Sequence, residues 1–150
     1  MKKNRLRQYL TKILVDIMLY AGIALYIILP FIMPRVMAFV GVGEELRVNY
    51  TIVMLTSGAC SIYIVYQLRK MLSTVLAGNP FVIQNVSALR KCAVAGALIA
   101  IIFLMRVIIS FTVASLLIVI IFALLSLFCL TLKDLFKQAV SYKEETDWTV

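Results

Sequence analysis

Residues whose side chains could do chemistry are few in this chain, and the most patterned group of them lies in one stretch. Residues 77–92 read AGNPFVIQNVSALRKC and hold the sole Asn-Pro pair, followed by Gln84, Asn85, Ser87, Arg90 and Lys91. These are hydrogen-bonding and cationic groups, suited to shaping a turn or meeting a partner rather than to covalent catalysis. Histidine is absent, which excludes a His-based triad and a histidine metal site. There is no P-loop, no G-x-G-x-x-G and no pair of carboxylates inside an apolar run. Ser57, Ser61, Ser110, Ser115 and Ser126 have no recognisable base and read as packing or interhelical hydrogen-bonding groups. Cys60, Cys92 and Cys129 form no C-x-x-C and read as small packing residues. The expectation is a protein that is not an enzyme and needs neither cofactor nor metal.

Two charges stand alone in apolar surroundings. Asp16 lies about one helical turn from Lys12, which points to capping or ion pairing, with proton or cation handling as the functional alternative. Arg106 is the sole charge between residues 92 and 132 and is expected to snorkel to an interface. Asp16 and Arg106 fall at opposite ends of their runs and so do not make a conduction path.

The elements that must position these groups follow from composition. The 150 residues are 63% hydrophobic with a mean hydropathy of +1.03, more apolar surface than a soluble domain of this length can bury. No polar segment is large enough for a second domain, so residues 1–150 read as a single all-α unit with four transmembrane helices. The expected spans are about 13–33, 48–68, 86–105 and 111–132, with a tail over 133–150. The basic start precedes an apolar run too long for a signal peptide, and reads as a retained first helix. Pro30 and Pro34 are expected to end that helix, leaving 35–49 as an external loop with Glu44, Glu45 and Arg47. The second helix continues as an amphipathic extension through Leu72 and Leu76 and stops at Gly78. Asn79 fits an N-cap and Pro80 the first position of the third helix, after which Asn85, Leu89 and Cys92 share one face. Residues 92–132 as one helix would measure about 60 Å, twice the ~30 Å hydrocarbon thickness, so a turn is expected within 106–112. Leu132, Leu135, Phe136, Ala139 and Val140 carry the fourth helix beyond the membrane until KEETDWTV breaks the pattern. Small-residue faces such as Ser57/Ser61 and Gly96/Ala100 permit close packing and also self-association.

The net charge of +8 is distributed by topology. Twelve Lys and Arg residues lie in the N-terminal segment, residues 69–91 and the tail, against Arg35, Arg47 and Arg106 elsewhere. The positive-inside rule then puts both termini and the 77–92 turn in the cytoplasm, with helices 2, 3 and 4 extended there. The lipid bilayer is the first partner. Acidic headgroups are a secondary partner for the basic charge, and no direct nucleic-acid binding is expected.

The stretch GNPFVIQNVSALRKC resembles the G-N-P-F-x-x-x-N-x-x-x-L-R signature of small bacterial four-helix membrane proteins grouped as domain of unknown function 2975. Gly78, Asn79, Pro80, Phe81, Asn85, Leu89 and Arg90 occupy the matching positions. The ending KEETDWTV resembles the family's acidic tail before a Leu-Thr-Val or Leu-Thr-Ile terminus. Thr146 stands where Asn or Asp is usual, and Trp148 where a smaller apolar residue is usual. The resemblance implies a multi-pass protein of the bacterial cytoplasmic membrane, without a settled function, frequently encoded beside a short Cro-repressor-like helix-turn-helix protein. The function that follows is regulatory: the inner hairpin and tail bind or sequester that small transcription factor. Asn79 and Pro80 would shape the turn, and Phe81 and Asn85 would meet the partner or the tail. Trp148, Thr149 and Val150 would add an edge strand or seat a carboxylate. The plainer alternative is that Gly78, Asn79 and Pro80 only build a turn while Phe81, Asn85 and Arg90 pack against the tail. A different class is an immunity protein against a membrane-active peptide, or a transporter-associated subunit, in which Glu44, Glu45 and Arg47 would matter most.

Overall fold

A computed structural model of the chain describes residues 2–41 and 43–148. They form four helices: α1 (Lys2–Phe39), α2 (Glu44–Leu76), α3 (Ile83–Ile109) and α4 (Val113–Trp148). Each contains a segment long and apolar enough to cross a membrane, which marks a multi-pass membrane protein.

Proline does not end the first helix. α1 runs through Pro30 and Pro34 to Phe39, contrary to the sequence expectation. Each proline removes one backbone donor, but in apolar surroundings unwinding would strand several more backbone groups, so continuing the helix costs less. The expected 35–49 loop shrinks accordingly. Residues 35–39 complete α1 and α2 begins at Glu44. Gly41, at φ +78°, turns the chain between them.

α2 ends where the sequence placed its stop. Gly78 adopts φ +83°, a left-handed conformation that glycine takes without a Cβ penalty. The Gly78 N–H donates to the Val75 carbonyl and the Asn79 N–H to the Thr74 carbonyl, both at 3.1 Å. This pair is a Schellman motif, and it satisfies two carbonyls that the end of the helix would otherwise orphan.

The start of α3 differs from expectation. It begins at Ile83, and its N-cap position is Val82 (φ −131°, ψ 148°), with no side-chain cap. Asn79 is therefore not an N-cap and Pro80 not the first helical residue. A residue before proline is biased to extended backbone, and the side chain of Asn79 is engaged elsewhere. α3 ends at Ile109, where the Ser110 N–H donates to the Arg106 carbonyl at 2.8 Å. The turn occupies 110–112, the late part of the expected window, and Arg106 sits in the last turn of α3, where a cation suits the helix dipole. In α4 the amphipathic stripe ends after Val140, with residues 141–146 all exposed, while the helix itself continues to Trp148, since Lys and Glu are good helix formers.

The helices pack in chain order. α1 lies on α2, α2 on α3 and α3 on α4, and among the described residues no other pair of helices packs. The result is an open row folded back and forth rather than a closed bundle. α3 is its centre. Cys92, Ala93, Ala95, Ile99 and Phe103 are buried there against Ile64 of α2 and Cys129 of α4. Small residues allow the α3–α4 approach. A Cβ on Gly96 would lie 3.5 Å from the Phe122 carbonyl oxygen, and Ser126 Oγ donates across the interface to the Ala93 carbonyl at 2.8 Å. Ser57 and Ser61 behave differently. Their hydroxyls donate to the Val53 and Ser57 carbonyls of their own helix, so they do not bridge helices.

Candidate functional site

The start of α1, the α2–α3 turn and the last part of α4 lie at one end of the row, and the most patterned polar residues meet there. Asn85 is the keystone of that end. It stands in the first turn of α3 and is only 1% exposed. Its Nδ2 donates to Thr74 Oγ1 and to the Pro80 carbonyl, both at 2.7 Å. Thr74 in turn donates its hydroxyl to the Met71 carbonyl at 2.7 Å. One buried amide thus ties the last turns of α2, the extended 79–82 segment and α3 together. Leu89, one turn further along α3, is also buried.

Two of the other signature residues, Asn79 and Phe81, meet α4. Asn79 Oδ1 accepts from Lys143 Nζ at 3.4 Å. The Phe81 ring packs on Phe136 with centroids 5.4 Å apart and planes at 54°, a tilted arrangement favoured by ring quadrupoles. Phe81 nevertheless remains 44% exposed. Arg90 is exposed, and no hydrogen bond or ion pair ties it to the turn or to α4. It lines a groove between α2 and α3 beside Lys91. Of the expected tail residues, Trp148 closes α4, but its side chain, Thr149 and Val150 lie outside the described residues. So does the side chain of Glu45.

Both isolated charges act as ties between helices. Asp16 pairs with Arg69 of α2, Oδ1 to Nε 2.6 Å, and not with Lys12 as its spacing suggested. Asp16 Oδ1 makes no aligned hydrogen bond, so the contact is one of charge, and the guanidinium also lies 5.8 Å from the Tyr20 ring centroid. At the other end, Arg106 places its guanidinium 3.7 Å from the Tyr50 ring centroid and donates from Nε to Ser115 Oγ at 3.2 Å. It thereby joins α2, α3 and α4, combining a cation–π contact with a hydrogen bond.

Sequence reasoning did not single out Thr74, Arg69, Tyr50 or Lys143 for these partnerships. The residue types were visible, but each partner lies on another element and no local spacing announces it. Among the described residues, no group of three or more His, Cys, Asp or Glu side chains could hold a metal.

The arrangement is a clasped turn joined to a long terminal helix. Comparison with curated proteins and with solved structures finds no match. A family model described as protein of unknown function (DUF2975) matches residues 8–150. That match covers nearly the whole chain, clasp and terminal helix included, and the chain belongs to the DUF2975 family.

Proposed function

We propose that this chain is a non-enzymatic regulator in the bacterial cytoplasmic membrane. Both termini face the cytoplasm, and the α2–α3 turn together with the end of α4 holds a small helix-turn-helix transcription factor. The observation that carries this reading is the junction of turn and α4. Phe81 packs on Phe136 and Lys143 on Asn79, yet much of the Phe81 ring stays open. A partner seated there would touch two elements that are rooted in the apolar helices, so a change in membrane packing would alter its footing. The distribution of basic residues supports the orientation. The exposed Glu144 at the end of α4 offers an acidic contact to a DNA-binding protein, whose own surface is basic.

The test is co-purification of the full chain, extracted in mild detergent, with the helix-turn-helix protein encoded beside it. The expected result is retention by the unaltered chain and a lower retained fraction after Phe81→Ala or removal of residues 147–150. If the unaltered chain retains none of the regulator, the reading is overturned.

A further inference from the structure

We propose that the groove between α2 and α3 is a binding site for one anionic phospholipid. The groove has two adjacent parts. The first, about 510 Å³, has Arg90, Lys91 and Ser87 at one end and Ala59, Val94 and Leu98 along the rest. The second, about 450 Å³, is more polar and includes Gln67, Lys70 and Gln84. Ser87 and Lys91 line both, so a cationic, hydrogen-bonding mouth borders an apolar slot.

The charge pattern selects the ligand. Among the described residues, Arg90 and Lys91 have no carboxylate partner, although Asp16–Arg69 and Lys133–Asp134 are paired. Two unpaired cations next to a serine hydroxyl match a phosphodiester, which offers charge and acceptor oxygens together. The apolar part selects against a free phosphate as the natural occupant. From Lys91 to Leu98 the groove follows α3 for roughly 10 Å at 1.5 Å per residue, enough for the upper part of an acyl chain. Val94 and Leu98 are themselves exposed, so the slot opens sideways to where lipid chains lie. Cations just outside an apolar segment attract acidic lipids, and here the same groove supplies the chain contact that makes attraction specific.

The site also touches the clasp. Thr74 and Asn85 line its polar part, so a bound headgroup lies against the bonds that hold the turn. The lipid site does not depend on the partner protein proposed above and is tested without it.

The test uses the full chain in detergent with three probes: dioleoyl phosphatidylglycerol, dioleoyl phosphatidylcholine and inorganic phosphate. Binding is read by native mass spectrometry and by the shift in thermal unfolding midpoint. Phosphatidylglycerol is expected to bind and raise the midpoint, while the other two leave it in place. Arg90→Gln with Lys91→Gln should weaken phosphatidylglycerol binding roughly 25-fold, taking about fivefold for each cation near an acidic headgroup. Ala59→Trp, which fills the slot at an exposed position and leaves the cations intact, should weaken it as well. Arg35→Gln removes a charge outside the groove and should change nothing. The midpoint of each variant in phosphatidylcholine reports whether it has folded. Equal binding of both lipids, undiminished binding by the double Gln variant, or inorganic phosphate matching phosphatidylglycerol would each overturn the proposal.

Discussion

Replacing Asn85 by Ala would unclasp the turn, and the cost follows from what its amide touches. The substitution deletes two 2.7 Å hydrogen bonds, one to the Thr74 hydroxyl and one to the Pro80 carbonyl. Each contributes about 1 kcal/mol net. The acceptors belong to residues that are only half-buried, so water can reach them in part, and the penalty for leaving them unpaired stays near the lower end of about 1–3 kcal/mol. The space left by a side chain that was 1% exposed adds to this. The sum is about 2–4 kcal/mol. Asn85→Asp should cost at least as much, because it replaces the donor with an acceptor and buries a charge at the same place. Thr74→Val removes two bonds, the one accepted from Asn85 and the one donated to the Met71 carbonyl, and should cost about 2 kcal/mol. The assay is unfolding in mixed micelles at increasing denaturing detergent, followed by circular dichroism, with amide exchange of residues 77–85 as the local readout. In the double variant the two effects should fall short of additive by about 1 kcal/mol, the value of the shared bond. If Asn85→Ala stays within about 0.5 kcal/mol of the unaltered chain and the turn amides exchange no faster, the clasp does not hold the turn.

Two further outcomes are expected at other ties. Gly78→Ala should destabilise by about 1–2 kcal/mol in the same unfolding assay, all of it conformational, since no atom lies within 4 Å of the added Cβ while φ is +83°; Gly78→Asn should lose less. Asp16→Ala should cost about 1–3 kcal/mol, because it strands Arg69 on a partly buried face, and exchanging the two charges (Asp16→Arg with Arg69→Asp) should recover part of the loss.

What could be read from the sequence was whatever depends on neighbours along the chain. Helix number follows from apolar runs, and the end of α2 follows from one glycine placed after an amphipathic stripe. The break between α3 and α4 follows from length alone. The failures share a cause. Pro30 and Pro34 carry a local signal to stop, and the surroundings of α1 override it. Asn79 and Asn85 are both residues that cap helices, and nothing local says that the first turns to Lys143 while the second closes the hairpin from inside. The pairing of Asp16 with Arg69 instead of Lys12 is likewise a choice between helices. The signature was legible as a turn, but the division of labour within it was not.

The open row has a consequence for how the chain is made. Among the described residues, every packed pair of helices is a pair of neighbours in sequence, joined by a short connection. Each helix therefore meets its only earlier partner as soon as it emerges, and none has to wait for a distant segment. Such a topology has low contact order and suits assembly one hairpin at a time during synthesis. The exception is the join between the α2–α3 turn and the end of α4, where Asn79 and Lys143 are 64 residues apart. That contact forms after the other helix pairings, when α4 has been completed as far as Lys143, so closing it reports that all four helices are in place.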